Sequence, residues 1–371
     1  MTFRAASAGT GAVAHLHAQA VIADPRVDLV AVSYRSAARR DAFADQYDVA
    51  GRYATITELL AGEQLDVVIL CTPPDLHLEQ ALTAYGAGVH VICEKPPALS
   101  LAELDEMQAA AAGLVLAVVF QQSTGSAAAH VRNLLDTGAF GRPLLAQCQT
   151  LWLRQDGYYA ADWRGTWDGE GGGTTLGHGI HQMDLLAHLP GDWAEVDARL
   201  WRLARDIEME DVSTATIRFA NGVVAVAVSS VLSPRETSYV RIDTELATVE
   251  VEHLYGHSGD SWCITPGPPD HPRESPRRSV VPCVPARRRG GPSAESLTYS
   301  SQVCRRPHMP YRRGPGRAVA LATAALAKCG ARPPARSTSA CAVATDRSGT
   351  SADQISCQLA TLSATRWPAA A

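Results

Sequence analysis

The feature that most constrains this chain is the hexapeptide Gly9-Thr10-Gly11-Ala12-Val13-Ala14, set between an apolar run at 4–8 and a segment of helical period at 11–24. A G-x-G-x-x-A pattern is weak by itself. Between a strand and a helix, within a βαβ unit of about 30 residues, it reads as a dinucleotide loop. Gly9 permits the tight turn, Gly11 lets a pyrophosphate approach the backbone at the helix N-terminus, and Ala14 lets helix and strand pack closely. Gly9, Thr10, Gly11, Ala12, Val13 and Ala14 are therefore candidate dinucleotide contacts.

The residues that follow repeat the unit. Apolar runs at 4–8, 27–33, 66–71, 89–93 and 114–120 alternate with helical segments at 11–24, 37–47, 56–61, 75–87 and 100–112, the pattern of a parallel sheet wrapped by helices. After an amphipathic helix at 126–136, longer strands are expected at 143–153, 196–205, 212–219, 223–231, 238–243 and 248–252. Ala220-Asn221-Gly222 marks a hairpin. One glycine-rich loop and one helix at about 177–189 interrupt these strands. The expected fold class is α/β: an N-terminal Rossmann doubly wound parallel sheet at 1–122, then a second α+β domain with a mostly antiparallel sheet at 123–266. A length of 371 residues suits two domains, because single cores stop growing at roughly 250 to 300 residues.

The net charge of −5 hides a division near residue 266. Up to Pro266 the chain has 17 basic and 33 acidic residues; after it, 16 and 5, with thirteen of the 22 prolines and five of the nine cysteines. Such a segment has too little apolar periodicity to offset its ordering entropy. We expect 267–371 to be a basic Pro/Arg/Ala-rich tail, disordered or read from a shifted frame. A basic arm for nucleic acid is disfavoured, because its arginines are interrupted by proline and lack interleaved aromatics.

At the end of the second expected strand, where an NAD site usually carries a carboxylate for the ribose hydroxyls, the chain reads Val32-Ser33-Tyr34-Arg35-Ser36, with Arg39 and Arg40 one turn on. Ser33, Tyr34 and Arg35 make a cationic, hydroxyl-bearing edge that suits a 2′-phosphate. NADP is therefore favoured over NAD, although these arginines could also simply cover an exposed helix start.

The first 266 residues use arginine sixteen times and lysine once, at Lys95 in Cys93-Glu94-Lys95-Pro96-Pro97. Ligands bind outside the carboxyl ends of strands in open α/β sheets. Lysine, unlike arginine, can have its pKa lowered enough to exchange a proton near neutrality.

Taken together, G-T-G-A-V-A at 9–14, C-T-P-P-D-L-H at 71–77, E-K-P at 94–96 and E-G-G-G-T-T-L-G-H-G-I-H-Q-M-D at 170–184 make the chain resemble the Gfo/Idh/MocA family, of the glucose–fructose oxidoreductase and inositol dehydrogenase type. The resemblance covers about 3–266. It implies a Rossmann domain, a second sheet domain, and NAD(P)-linked hydride transfer at a secondary alcohol or carbonyl of a sugar, cyclitol or related polyol. It also implies cofactor contacts at Thr72, Pro73, His77 and Glu94, with Lys95 as catalytic proton carrier and His181 as substrate-facing acid or base. Many relatives carry an aspartate four residues before that histidine. Here the position is Gly177, and His178 or a water is expected to fill the gap. Asp184, three residues after His181, shares its helix face and is expected to orient or cap; with Lys95, Arg164, His178 and His181 it makes up the candidate substrate-binding set. Arg164, beside Tyr158, Tyr159 and Trp163, is a candidate contact to cofactor or substrate; such a cluster equally serves core packing.

No H-E-x-x-H or C-x-x-C pair occurs, so no metal is expected. The chain shows no run of about 18 apolar residues and no secretory leader, which points to a cytoplasmic protein without membrane contact. Self-association through the second sheet is expected if that domain folds. Two other readings stay open from sequence: a non-catalytic dinucleotide-binding regulator, and a product inactivated by its C-terminus.

Overall fold

The computed structural model describes residues 2–252 and 259–268. The expectations for the remainder of the tail, 269–371, lie outside the described residues.

The first half runs β1 (Phe3–Ala8), α1 (Ala12–Ala23), β2 (Val27–Ser33), α2 (Ala37–Tyr47), β3 (Gly51–Tyr53), α3 (Ile56–Gly62), β4 (Val67–Leu70), α4 (His77–Gly86), β5 (His90–Cys93), α5 (Leu101–Ala111) and β6 (Leu116–Val118). These strands form a six-stranded parallel sheet in the order β3-β2-β1-β4-β5-β6. The winding reverses between β1 and β4, and the ends of those strands open a crevice for ligand. Ala5, Ala6, Val68 and Leu70 are buried in this sheet, as expected of strands covered on both faces.

Helices α3 and α5 are closed at their starts by side chains. Thr55 accepts from the Glu58 amide at 3.1 Å and Ser100 from the Glu103 amide at 3.2 Å, while Glu58 and Glu103 reach back to the amides of Ala54 and Leu99. Such caps are worth about 1 kcal/mol each. Helix α1 begins at Gly11 with no side-chain cap.

The second half continues with α6 (Ser126–Asp136), β7 (Pro143–Leu153), the short α7 (Trp167–Glu170), α8 (Ile180–His188), β8 (Trp193–Trp201), β9 (Val212–Phe219), β10 (Val224–Ser230), β11 (Leu232–Thr244), β12 (Ala247–Glu252) and β13 (Trp262–Pro266). Among the described residues these strands form a seven-stranded sheet, ordered β13-β12-β11-β7-β10-β9-β8. It is antiparallel except where β7 lies parallel to β10. Helix α8 packs its buried Met183, Leu185 and Leu186 against the sheet's inner face.

Four details differ from the sequence expectation. The short β3 has no apolar alternation to reveal it. Strand β8 ends at Trp201 rather than 205, because the buried Asp211 carboxylate takes the amides of Leu203, Ala204 and Arg205 at 2.8 to 2.9 Å and turns them into a loop. Strand β11 starts six residues early, at Leu232; its register shifts before Thr237, giving Pro234 a bulge in which no ladder N–H is needed. Strand β13 pairs with β12 at the sheet's edge and was not expected.

Candidate active site

The dinucleotide loop lies at the carboxyl end of β1. Gly9 has φ +113°, and a Cβ there would lie 2.7 Å from the Cys71 carbonyl oxygen, so this turn requires glycine. Gly11 is different: a Cβ there meets no atom within 4 Å. Its side is open, which fits a cradle that a dinucleotide phosphate approaches. The Thr10 hydroxyl is buried without a hydrogen-bond partner among the described residues, Val13 is 41% exposed, and Ala14 is fully buried against the sheet. The open Gly11, the exposed Val13 and the uncapped helix start all fit a bound dinucleotide.

At the end of β2, Ser33 is buried, and its carbonyl accepts from the Gly9 amide at 2.9 Å. Arg39 lies 4.8 Å over the Tyr34 ring and donates to its hydroxyl at 3.0 Å, while Arg40 pairs with Asp41. Arg35 is exposed and has no protein partner among the described residues.

Two turns at the ends of β4 and β5 face this loop across the sheet's switch point. The Thr72 hydroxyl donates to Gln80 at 2.7 Å, and Pro73 caps the short turn of helix before α4. His77 is fully buried, with Nδ1 2.9 Å from the Pro96 carbonyl and Nε2 2.9 Å from that of Thr72. The imidazole thus ties the two turns together from behind. Burial pushes its imidazolium down, against the pull of the two carbonyls. Glu94 also turns inward: its carboxylate meets His17 of α1 at 2.8 Å. His77 and Glu94, expected as cofactor contacts, are both engaged here by protein groups.

Lys95 reaches from this sheet to the second half of the site. Its Nζ donates to the carbonyl oxygen of Gly177 at 2.9 Å. Burial pushes the ammonium down; Glu94 pulls it up, Arg164 pushes it down, Glu170 pulls it up and Arg154 pushes it down.

The glycine loop is shaped by two carboxylates. Glu210 accepts from the amides of Gly173 at 3.0 Å and Thr175 at 2.9 Å, and a Cβ on Gly173 would lie 2.0 Å from the Glu210 carbonyl oxygen. Glu170 accepts from the Gly165 amide at 2.7 Å and pairs with Arg164 at 3.2 Å. Burial pushes both carboxyls up. The loop then enters a π-turn, Thr175–Gly179, that leads into α8.

This turn places His178 and His181 at the site. Both are buried, and in each Nδ1 lacks a hydrogen-bond partner among the described residues. Burial, then Lys95, drives both imidazoles well below their usual range, so they are neutral near pH 7. His178 accepts from Arg154 Nε at 3.3 Å and stacks edge-on to Trp152. The gap at Gly177 is met by the peptide carbonyl, not by the His178 ring, which turns to Arg154. Arg164 is held over Tyr158 and Trp163 at 4.0 and 4.3 Å and donates to the Tyr158 hydroxyl. The Asp184 carboxylate meets the Ser123 hydroxyl.

Sequence reasoning did not single out His17, Arg154, Glu170 or Glu210. Glu170 stood inside a quoted motif; the other three act across 77, 24 and 37 residues of chain, a separation that no local pattern signals. Among the described residues, no group of three His, Cys, Asp or Glu side chains is set to hold a metal. No described helix is long and apolar enough to cross a membrane.

Comparison with known proteins places two family models on the chain. Residues 3–120 match the oxidoreductase family with NAD-binding Rossmann fold, and residues 128–250 match the GFO/IDH/MocA C-terminal domain. The 1,5-anhydro-D-fructose reductase of Ensifer adhaerens is 32% identical over 203 residues, 53% of this chain and 60% of that protein. The D-glucoside 3-dehydrogenase of Escherichia coli strain K12 is 28% identical over 276 residues, 68% of this chain and 78% of that one. Among solved structures, the WlbA dehydrogenase of Chromobacterium violaceum, in complex with NADH and UDP-GlcNAcA, matches with a TM-score of 0.67 and 29% identity, covering 72% of this chain and 78% of that one. The chain spans less than two thirds of the length of the first of these relatives.

Proposed function

Since this chain belongs to the GFO/IDH/MocA oxidoreductase family, we propose that it is an NAD(P)-dependent oxidoreductase acting on a secondary alcohol or carbonyl of a sugar, cyclitol or related polyol. Residues 1–122 bind the dinucleotide and 123–266 carry the substrate side. The loop at 9–14, with Ser33, Tyr34 and Arg35, holds the dinucleotide, whose nicotinamide supplies or accepts hydride when bound.

The observation that carries this reading is the placement of Lys95. The one lysine of the first 266 residues sits, partly buried, just past a strand's carboxyl end, and its ammonium reaches the loop that precedes His181. In oxidation, the neutral amine takes the proton of the substrate hydroxyl; in reduction, the ammonium returns it to the carbonyl oxygen. His181, neutral and with a ring nitrogen that has no partner among the described residues, orients the same oxygen or shares its proton. Arg164 is placed to bind a further substrate oxygen. On the sheet face away from α8, Leu145 lies in register with Val224, and both are exposed together with Val226; we place self-association there.

The test is nicotinamide absorbance with a panel of sugars, glycosides and cyclitols and both cofactors. Hydride transfer with at least one polyol, abolished by Lys95→Ala, is expected. Dinucleotide binding without turnover on any of them would favour a regulator on the same scaffold.

A further inference from the structure

We propose that His17 and Glu94 are positioning residues for Lys95: the imidazole on α1 fixes the Glu94 carboxylate, which caps the Lys95 amide and places a negative charge beside the lysine ammonium. The inference rests on the reading of Lys95 as proton carrier.

The geometry is direct. His17 Nε2 lies 2.8 Å from Glu94 Oε1, and Glu94 Oε2 accepts from the Lys95 amide at 3.2 Å. The two side chains are 4% and 12% exposed. His17 Nδ1 has no partner among the described residues, so the ring proton belongs on Nε2, facing the carboxylate. Helix α1 is the one that starts at the dinucleotide loop. A single buried hydrogen bond therefore joins the phosphate-binding helix to the residue next to the proton carrier, and His77 holds the other side of the same turn at Pro96.

Charge gives the pair its consequence. Burial opposes ionisation of Glu94, but His17, the Lys95 ammonium and the Lys95 amide together hold the carboxyl below its usual range. Facing Lys95 are Glu94 and Glu170, which favour its charged form, Arg164 and Arg154, which oppose it, and the neutral His178 and His181. Glu94 is the strongest of the charges that keep the proton on the amine. Without His17 the Glu94 carboxyl would lose its strongest support, rise, and hold less negative charge beside the lysine.

The chain's lysine content allows a direct measurement, because Lys95 and Lys328 are its only two lysines. In the full chain carrying Lys328→Arg and labelled with 13Cε-lysine, the remaining resonance reports the titration of Lys95 without any substrate. Glu94→Gln is expected to lower its midpoint by about one pH unit or more. His17→Phe should lower it similarly, and His17→Gln, which keeps an N–H donor to Glu94, should stay near the parent. Glu94→Asp keeps the charge and decides the matter if His17→Phe does not fold: its midpoint should lie above that of Glu94→Gln. An unchanged midpoint in Glu94→Gln, or in a folded His17→Phe, overturns the proposal. Loss of turnover in Lys95→Ala tests the proton-carrier reading separately, so that failure of one is distinguishable from failure of the other.

Discussion

The Lys95 ammonium and the Gly177 carbonyl meet at 2.9 Å, so the turn after β5 is tied to the backbone of the glycine loop that leads into α8. A Cβ on Gly177 would meet no atom within 4 Å, which leaves room for a side chain. Gly177→Ala is expected to be neutral or to stabilise by about 0.4 to 1 kcal/mol through the unfolded chain. Gly177→Asp would set a carboxylate near Lys95 and favour its charged form. In the oxidation direction, where the neutral amine is needed, the acid limb of the pH–rate profile should move to higher pH. A limb that stays in place or moves down would show that the aspartate does not reach the lysine.

Lys95→Ala should cost about 10² to 10⁴ in turnover, the usual worth of a positioned acid or base. Dinucleotide affinity should change only a few-fold, because the glycine loop proposed to hold the dinucleotide leads into α1 and not into the E-K-P turn. Lys95→Arg should not rescue, since a guanidinium does not give up its proton near neutrality. Near-parental turnover in the arginine variant would mean that positive charge alone suffices.

Cofactor choice is expected to turn on Arg35, which is exposed at the end of β2 while Arg39 is engaged by Tyr34. A charge-assisted contact to a 2′-phosphate is worth roughly 1.5 to 3 kcal/mol, about ten-fold or more in affinity. NADP should bind more tightly than NAD, and Arg35→Asp should reverse the order. Equal dissociation constants for the two in the parent chain would remove the argument for a phosphate-binding edge.

What sequence could reveal was set by how local the signal is. The first sheet was legible because each strand–helix unit carries its own apolar period, and β2 and α2 fall where the pattern puts them. Lys95 was legible through its rarity and its place after a strand. The network beneath it was not: His17 with Glu94, Glu210 with Gly173 and Asp211 with Leu203 are buried carboxylates or imidazoles whose partners are chosen by the tertiary fold. His77 and Glu94 entered as cofactor contacts only through the family resemblance; their polar atoms meet Pro96, Thr72, His17 and the Lys95 amide, partners that no local pattern names.

Asp184 provides a pH test of stability. Burial pushes its carboxyl from an ordinary 3.8 up to about 7, against the hydrogen bond with Ser123. The Ser123 hydroxyl also faces the Phe120 carbonyl at 3.2 Å, and one hydroxyl proton cannot serve two acceptors. Both contacts are satisfied when Asp184 is protonated and donates to Ser123, which in turn donates to Phe120. A raised carboxyl pKa in the folded state means that the native chain binds more protons than the unfolded one between about pH 4 and pH 7. The associated stability is fully present below the unfolded pKa and is lost as pH rises through the folded one. Asp184→Asn, which cannot ionise, should remove this loss. Thermal melts at about pH 5 and pH 8 should show a smaller fall in Tm for the variant than for the parent, by several degrees. Equal falls in both chains would mean that Asp184 is already ionised at the lower pH and that Ser123 is its donor.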